Sequence, residues 1–312
     1  MASLALPAWI HPRHPIVNGE TRHWRRSRVW RATLSVLWGG SLLFLVFPGL
    51  CTLLAGTQAN YTNPAEAIAV IGGSFTFGLV AVSALAGGLN SLLAGLLGAT
   101  LISRERECQS WPFLRLTTLT SLEIVGGKFA ALLYTLAWPL HFVAALRGLA
   151  LLCGLVTGGL ALAASGQTFD QLLAMWNSLA LSLSAFDLAA LQLTALIGLP
   201  LAVAWWLLEP YFSAFYSGAV GLAASAAARS RGAGIVLTVA IHFGLGLGLY
   251  APVQQVMTAV LVTLLQNSTA LLVGLLPAAV VVLPTLVQSG LQVAVVGACL
   301  AFAVSRAEHL SE

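Results

Sequence analysis

Charged side chains are scarce in this sequence. They make up 8% of its 312 residues, where a soluble domain carries about 25%. Together with 59% hydrophobic residues, that scarcity excludes an ordinary soluble globular protein, and no nucleic-acid partner is expected. Lysine occurs once, at Lys128. A Walker A phosphate loop needs GxxxxGK[ST], but here Leu122 stands where its first glycine would be and Phe129 follows the lysine. The chain is therefore not expected to be an enzyme by that route. The four cysteines (Cys51, Cys108, Cys153, Cys299) form no CxxC pair, which argues against a disulfide or metal framework and leaves them as small hydrophobes. Residues 1–31 hold six arginines and no apolar h-region, so no cleavable signal peptide is expected and the first apolar run reads as a retained span.

Long apolar runs are what the chain has in their place. A bilayer crossing takes about 20 residues. Runs such as Ala32–Ala55 and Leu188–Leu208 are uncharged throughout, whereas β-barrel strands alternate over about 10 residues. The expected fold is an all-α integral membrane bundle with six core spans, near 32–54, 67–102, 128–155, 187–228, 233–263 and 284–305. Two regions would raise the count toward eight crossings. Trp205-Trp206 and Tyr211-Phe212 flank Glu209-Pro210, which predicts a broken helix or two spans. Residues 251–283, interrupted by Pro277 and Pro284, read as an external re-entrant or extra span.

Arginine and lysine placement sets the orientation. Positive charge is present in the tail, absent near Asn60–Glu66, present over 104–128, absent over 165–187, and present again at Arg229 and Arg231 and finally at Arg306. The positive-inside rule then puts both termini in the cytoplasm. The organisation follows as a basic cytoplasmic tail (1–31), a membrane domain (32–305) with a cytoplasmic segment at 104–127, and a short tail (306–312), in a plasma (inner) membrane.

Few residues suggest chemistry. Lys128 reads as a helix-start anchor snorkelling to the interface. Arg147 breaks the charge alternation and reads as snorkelling from the outer end of a span; Asp187 and Glu209 read as interfacial. His141 and His242 lie in apolar runs, so ligation of a haem or pigment is a minor alternative. Intramembrane serine proteolysis would need Gly72-Gly73-Ser74 to meet His242, and no spacing supports it. Gly87, Gly88, Gly95 and Gly98, with Gly244, Gly246 and Gly248, permit close helix approach.

The densest charge after the tail is LISRERECQSWPFLRLTTLTSLEIVGGK, from Leu101 to Lys128. Four consecutive charges, Arg104 to Glu107, must lie outside the hydrocarbon, since each costs about 2.5–3.5 kcal/mol at its centre. With Trp111, the leucine-rich turn Leu114 to Leu119 and Glu123-Ile124-Val125-Gly126-Gly127-Lys128, this segment resembles the permease subunits of type-2 ABC transporters. GLAASAAARSRGAGI before the fifth span and AVSRAEHL near the C-terminus are similar to the same family. Gln109-Ser110 stand where that family usually has Gly-Thr, Pro112 where an acidic residue is usual, and Thr118 where proline is frequent.

The resemblance implies a permease subunit of an exporter whose loop forms a coupling helix docked on a separate ABC ATPase, with a second permease copy and lipid as further partners. It places ATP and magnesium on the ATPase and no cofactor here. It assigns docking to Arg104, Glu105, Arg106, Glu107, Trp111, Phe113, Leu114, Leu116 and Glu123, with the two glutamates 105 and 107 pairing basic groups of the partner and the apolar side chains meeting lipid or partner. The alternative is a non-transporting scaffold or cofactor-binding subunit that uses His141 or His242.

The orientation is directly testable. A cysteine at Thr62 should react with an impermeant thiol reagent from outside, and one at Ser121 or Ser230 only after permeabilisation. External labelling at Ser121 would reverse the topology.

Overall fold

The computed structural model describes residues 10–26, 63–166, 194–267 and 271–309, with single positions at 7 and within 35–52 and 171–192. The first expected span, 32–54, lies almost wholly outside the described residues, as does Asp187. Among the described residues there is no strand. The helices are α1 (Pro15–Arg26), α2 (Pro64–Gly98), α3 (Ser103–Glu107), α4 (Trp111–Arg115), α5 (Ser121–Ala164), α6 (Leu199–Ala227), α7 (Arg231–Leu245), α8 (Ala251–Asn267) and α9 (Leu271–His309). Among the described residues, five stretches are long and apolar enough to cross a membrane: Pro64–Glu107, Ser121–Ala164, Leu196–Ala227, Arg231–Ala259 and Leu286–His309. The protein is thus an all-α, multi-pass membrane protein.

Local sequence starts these helices where it should. Asn63 accepts a hydrogen bond from the Ala65 amide, with Pro64 in the first turn of α2. Thr120 and Glu123 form a reciprocal capping box at the head of α5, and Ser230 accepts from the Ala233 amide at α7. Such caps satisfy amides that have no partner inside the helix.

The core forms where α2, α5 and α6 meet, and α9 packs along α6. Glycine sets the α2–α6 distance. A Cβ on Gly98 would stand 2.6 Å from the Gly218 carbonyl, and one on Gly221 would strike the Gly95 carbonyl. Gly95 and Gly98 therefore do what their spacing suggested, whereas Gly88, Gly244, Gly246 and Gly248 face open space.

One expectation is corrected here. Pro210 does not divide its helix, since α6 is continuous through it. Around the stretch 251–283, a single π-helical turn (Gly246–Tyr250) carries α7 straight into α8, and Pro277 and Pro284 lie within the run of α9.

Arg147 shows how a proline is accommodated. Proline at 210 has no N–H to offer the carbonyl four residues back, that of Trp206. Arg147 on α5 donates one guanidinium nitrogen to that carbonyl and the other to Glu209 Oε2 at 2.7 Å. Its guanidinium also sits 5.2 Å from the Trp206 ring centre, within cation–π range. Arg147 is therefore buried, 4% exposed, and not snorkelling, and Glu209 is its partner. Within a bilayer every backbone group must be satisfied internally, and here a side chain of a neighbouring helix does it.

Arg147→Leu should leave the Trp206 carbonyl without a donor, costing about 1–3 kcal/mol. Adding Pro210→Ala returns an N–H and should recover much of that loss. A double-mutant cycle on thermal unfolding in detergent measures the coupling, and strict additivity would rule the arrangement out.

Candidate functional site at the charged end of the bundle

After α2 the chain turns at Ala99–Ile102 and forms two five-residue helices before α5 begins. Ser225 on α6 fixes the first turn. Its hydroxyl oxygen accepts from the amides of Ile102 (2.9 Å) and Ser103 (2.8 Å), two donors a short helix start cannot satisfy itself. Between α3 and α4, Gln109 takes φ = 54°, a left-handed conformation that glycine adopts freely and other residues rarely do. Trp111, 4% exposed, then drives α4 into the core beside Leu101, Val125, Ala303 and Ala307.

Below this turn lies a closed ionic cluster. Lys128 Nζ lies 2.5 Å from Glu20 Oε1 and 3.1 Å from Glu105 Oε1. Arg104 Nη2 lies 2.9 Å from Glu20 and 3.1 Å from Glu105, and the Ser110 hydroxyl donates to Glu105. Two cations thus meet two anions. Lys128 is 2% exposed, which corrects the snorkelling reading. Helix α5 starts at Ser121, about two turns before Lys128 at 3.6 residues per turn, so the lysine points into the packed interior.

Glu20 is the member that sequence reading missed. The basic tail is not featureless, since Pro15–Arg26 is helical and lays Val17 and Glu20 against α5, with Ile16 over Gly127. The signal was present, for Glu20 is the sole acid among residues 1–31. Apolar Ile16 and Val17 close to it mark the inward face.

The other residues expected to dock a partner divide into two groups. Glu107 pairs with Arg231, Oε2 to Nε at 2.7 Å, and accepts from the Arg231 amide at 2.7 Å. Arg106 donates to the Ala228 carbonyl at 2.6 Å. Glu123 closes the α5 cap through the Thr120 amide, 2.8 Å away. Glu105, Glu107, Arg106 and Glu123 therefore spend their charge inside the chain, and Trp111 faces the core where lipid or partner contact was expected. Leu114 packs against the core. Phe113, 71% exposed, and Leu116, 83% exposed, remain outward. Arg229 and Arg306 both lie near Arg106, so cations that alternate along the sequence gather at one end of the bundle.

His141 and His242 are elsewhere and apart from this platform. His141 Nδ1 lies 2.7 Å from the Tyr211 hydroxyl. His242 meets Ser217 and the Thr238 carbonyl, while Ser74 bonds the Val70 carbonyl of its own helix. Cys108, Cys153 and Cys299 are free thiols. Comparison with known proteins finds no family model and no curated relative that matches the chain.

Lys128→Met would leave two carboxylates with a single shared cation, Arg104. Removing one side of a buried ion pair costs about 3–5 kcal/mol. Glu20→Gln in the same chain should return part of that loss. Thermal unfolding of the single and double variants checks the sign, and a Lys128→Met protein as stable as wild type would show that the cluster is hydrated.

Proposed function

We propose that this chain is the membrane-spanning subunit of an ABC exporter, coupled to a separate ATPase through the platform at 103–116. The observation that carries the reading is the platform's geometry. Two short helices between two long spans are braced from below by Lys128 and from the side by Arg231, yet they turn Phe113 and Leu116 outward. Large apolar side chains exposed on a rigid, charged end are what a docking surface needs. The left-handed backbone at Gln109 adds support, since it falls where the resembling permeases carry glycine.

Docking in this reading is chiefly apolar. Phe113 and Leu116 insert into the partner, and Arg104 to Glu107 serve as the frame that transmits the push. Displacing the platform moves α2, α5 and α6 together, because the turn at Ala99–Ile102 joins it to α2, the Glu105–Lys128 pair to α5 and Ser225 to α6. Both termini lie in the cytoplasm, and a second copy or a similar permease completes the path. A pigment-binding subunit that used His242 would need one of its ring nitrogens free, and both have partners in the chain.

The test is gentle extraction from native membranes followed by mass spectrometry of the intact assembly. A nucleotide-binding subunit should accompany the chain, and the isolated chain should not hydrolyse ATP. Phe113→Ser with Leu116→Ser should weaken the assembly at least tenfold, since each buried side chain contributes about 1.5–3 kcal/mol. Assemblies holding only pigment or electron-transfer subunits would overturn the proposal.

A further inference from the structure

Between α2, α6 and α7 lies a cavity of about 250 Å³ with one polar corner. His242, Ser217, Ser91 and Thr238 form that corner, and Leu92, Leu96, Val239 and Phe243 supply apolar walls. Leu92, Val239 and Phe243 are exposed on the outside of the bundle, so the mouth opens sideways where lipid would lie. His242 is roughly 16 Å from the start of α7 at 1.5 Å per residue, near the middle of a hydrocarbon layer about 30 Å thick. An ionisable residue at that depth marks a functional site by default.

The hydrogen bonds accommodate a neutral ring. His242 Nδ1 lies 2.9 Å from the Thr238 carbonyl, which has no proton to give, so Nδ1 carries the hydrogen. Nε2 lies 3.1 Å from Ser217 Oγ, and Ser217 Oγ lies 2.6 Å from Ser91 Oγ. In the neutral ring Ser217 donates to Nε2 and Ser91 donates to Ser217. The groups facing His242 from its surroundings are hydroxyls and rings: Ser91 from α2, Ser217 and the edge-on Tyr216 from α6, and Tyr250, beyond Tyr216, from the π-turn. No carboxylate lines the cavity. A cationic guest would find no counter-charge there, and burying an unpaired charge is costly.

We infer that this cavity binds an amphipathic weak acid, with its carboxyl at His242 and its chain leaving through the Leu92–Phe243 mouth. The exchange of hydrogen bonds balances. The acid O–H donates to Nε2, displacing Ser217. The Ser217 hydroxyl turns to the acid's carbonyl oxygen, and Ser91 still donates to Ser217. Every donor keeps an acceptor, and no net charge enters the membrane. A carboxyl offers its donor and acceptor on two oxygens, which suits two protein atoms 3.1 Å apart. An ester has no donor for Nε2, so Ser217 either keeps its bond to the ring and offers the ester nothing or turns to the ester carbonyl and leaves Nε2 unpaired. Gly95 makes the room, since a Cβ there would already contact His242, Thr238 and the Ser217 carbonyl at 3.5 Å. The site goes beyond the transporter reading and does not rest on it. If both hold, it names the substrate class.

The probe is decanoic acid bearing a terminal diazirine, photolysed with the purified full-length chain in nanodiscs without any ATPase. Cross-links should fall on α2 and α7 around Leu92 and Phe243. Unlabelled decanoic acid should compete at least about tenfold better than methyl decanoate, as loss of one or two hydrogen bonds requires, and better still than a decyl trimethylammonium. His242→Gln and, separately, Ser217→Ala should bring acid and ester within about threefold, with unchanged elution and melting as the check on folding. Equal competition by acid and ester in the wild type would mean ordinary lipid filling and would overturn the proposal. So would cross-links that avoid both helices, or a Leu92→Cys disulfide between copies with no labelling, which would mean that a second chain covers the mouth.

Discussion

A lysine ammonium withdrawn from water has to be met by anions, and Lys128 draws its two from opposite directions along the chain. Glu20 arrives on an N-terminal surface helix and Glu105 on the turn that follows the second expected span. Arg104 restores neutrality by holding both carboxylates. Such a cluster adds little net stability over an apolar core, because desolvation offsets most of the attraction. Its value is geometric. The charges can be buried together only if α1, the platform and α5 take one relative position, so the three elements are held in register. The outward pose of Phe113 and Leu116 depends on that registration.

Burial outweighs Coulomb attraction in deciding which residues face a partner. Charge runs in a membrane protein suggest reception of something from outside, and the acids of this one were expected to receive a partner's cations. Instead Glu105, Glu107 and Glu123 are engaged by Lys128, Arg231 and the α5 cap respectively. The end of the bundle is left with an excess of arginine and two apolar side chains. Any partner on this face would find the acids already engaged, and would be received by shape, apolar contact and the surplus arginine charge.

Much of the architecture was legible because the bilayer restricts the options so strongly. Length and hydropathy find the helices of 64–98, 121–164 and 199–227, and the gathering of Arg104, Arg106, Arg229, Arg231 and Arg306 at one end follows from charge placement. What could not be read is long-range pairing. Nothing near Lys128 reveals that Glu20, over a hundred residues away, neutralises it. Arg147 looked like an outer-edge residue because its partner, a carbonyl bared by Pro210, is invisible to composition. The prolines misled for a related reason. In water an unpaired carbonyl invites a break, whereas in a packed bundle a neighbour fills the gap and the helix goes on. The Ser217–His242 contact was hidden in the same way, since Ser74 stood beside the glycines and drew attention first.

Pro210 marks the place along the continuous α6 where its contacts change allegiance. Toward the platform, Gly218 and Gly221 press against α2, and Ser217 reaches α7. On the far side, Trp206 and Glu209 belong to Arg147 and so to α5. A proline in a helix is a joint, and this joint has a pin borrowed from another helix. While the arginine stays seated, the two halves move as a rod. Without it, the Trp206 carbonyl would have no donor at the joint. Flexing α6 is therefore a choice made by α5, and the stiffness of this span is a property that no part of its own sequence contains.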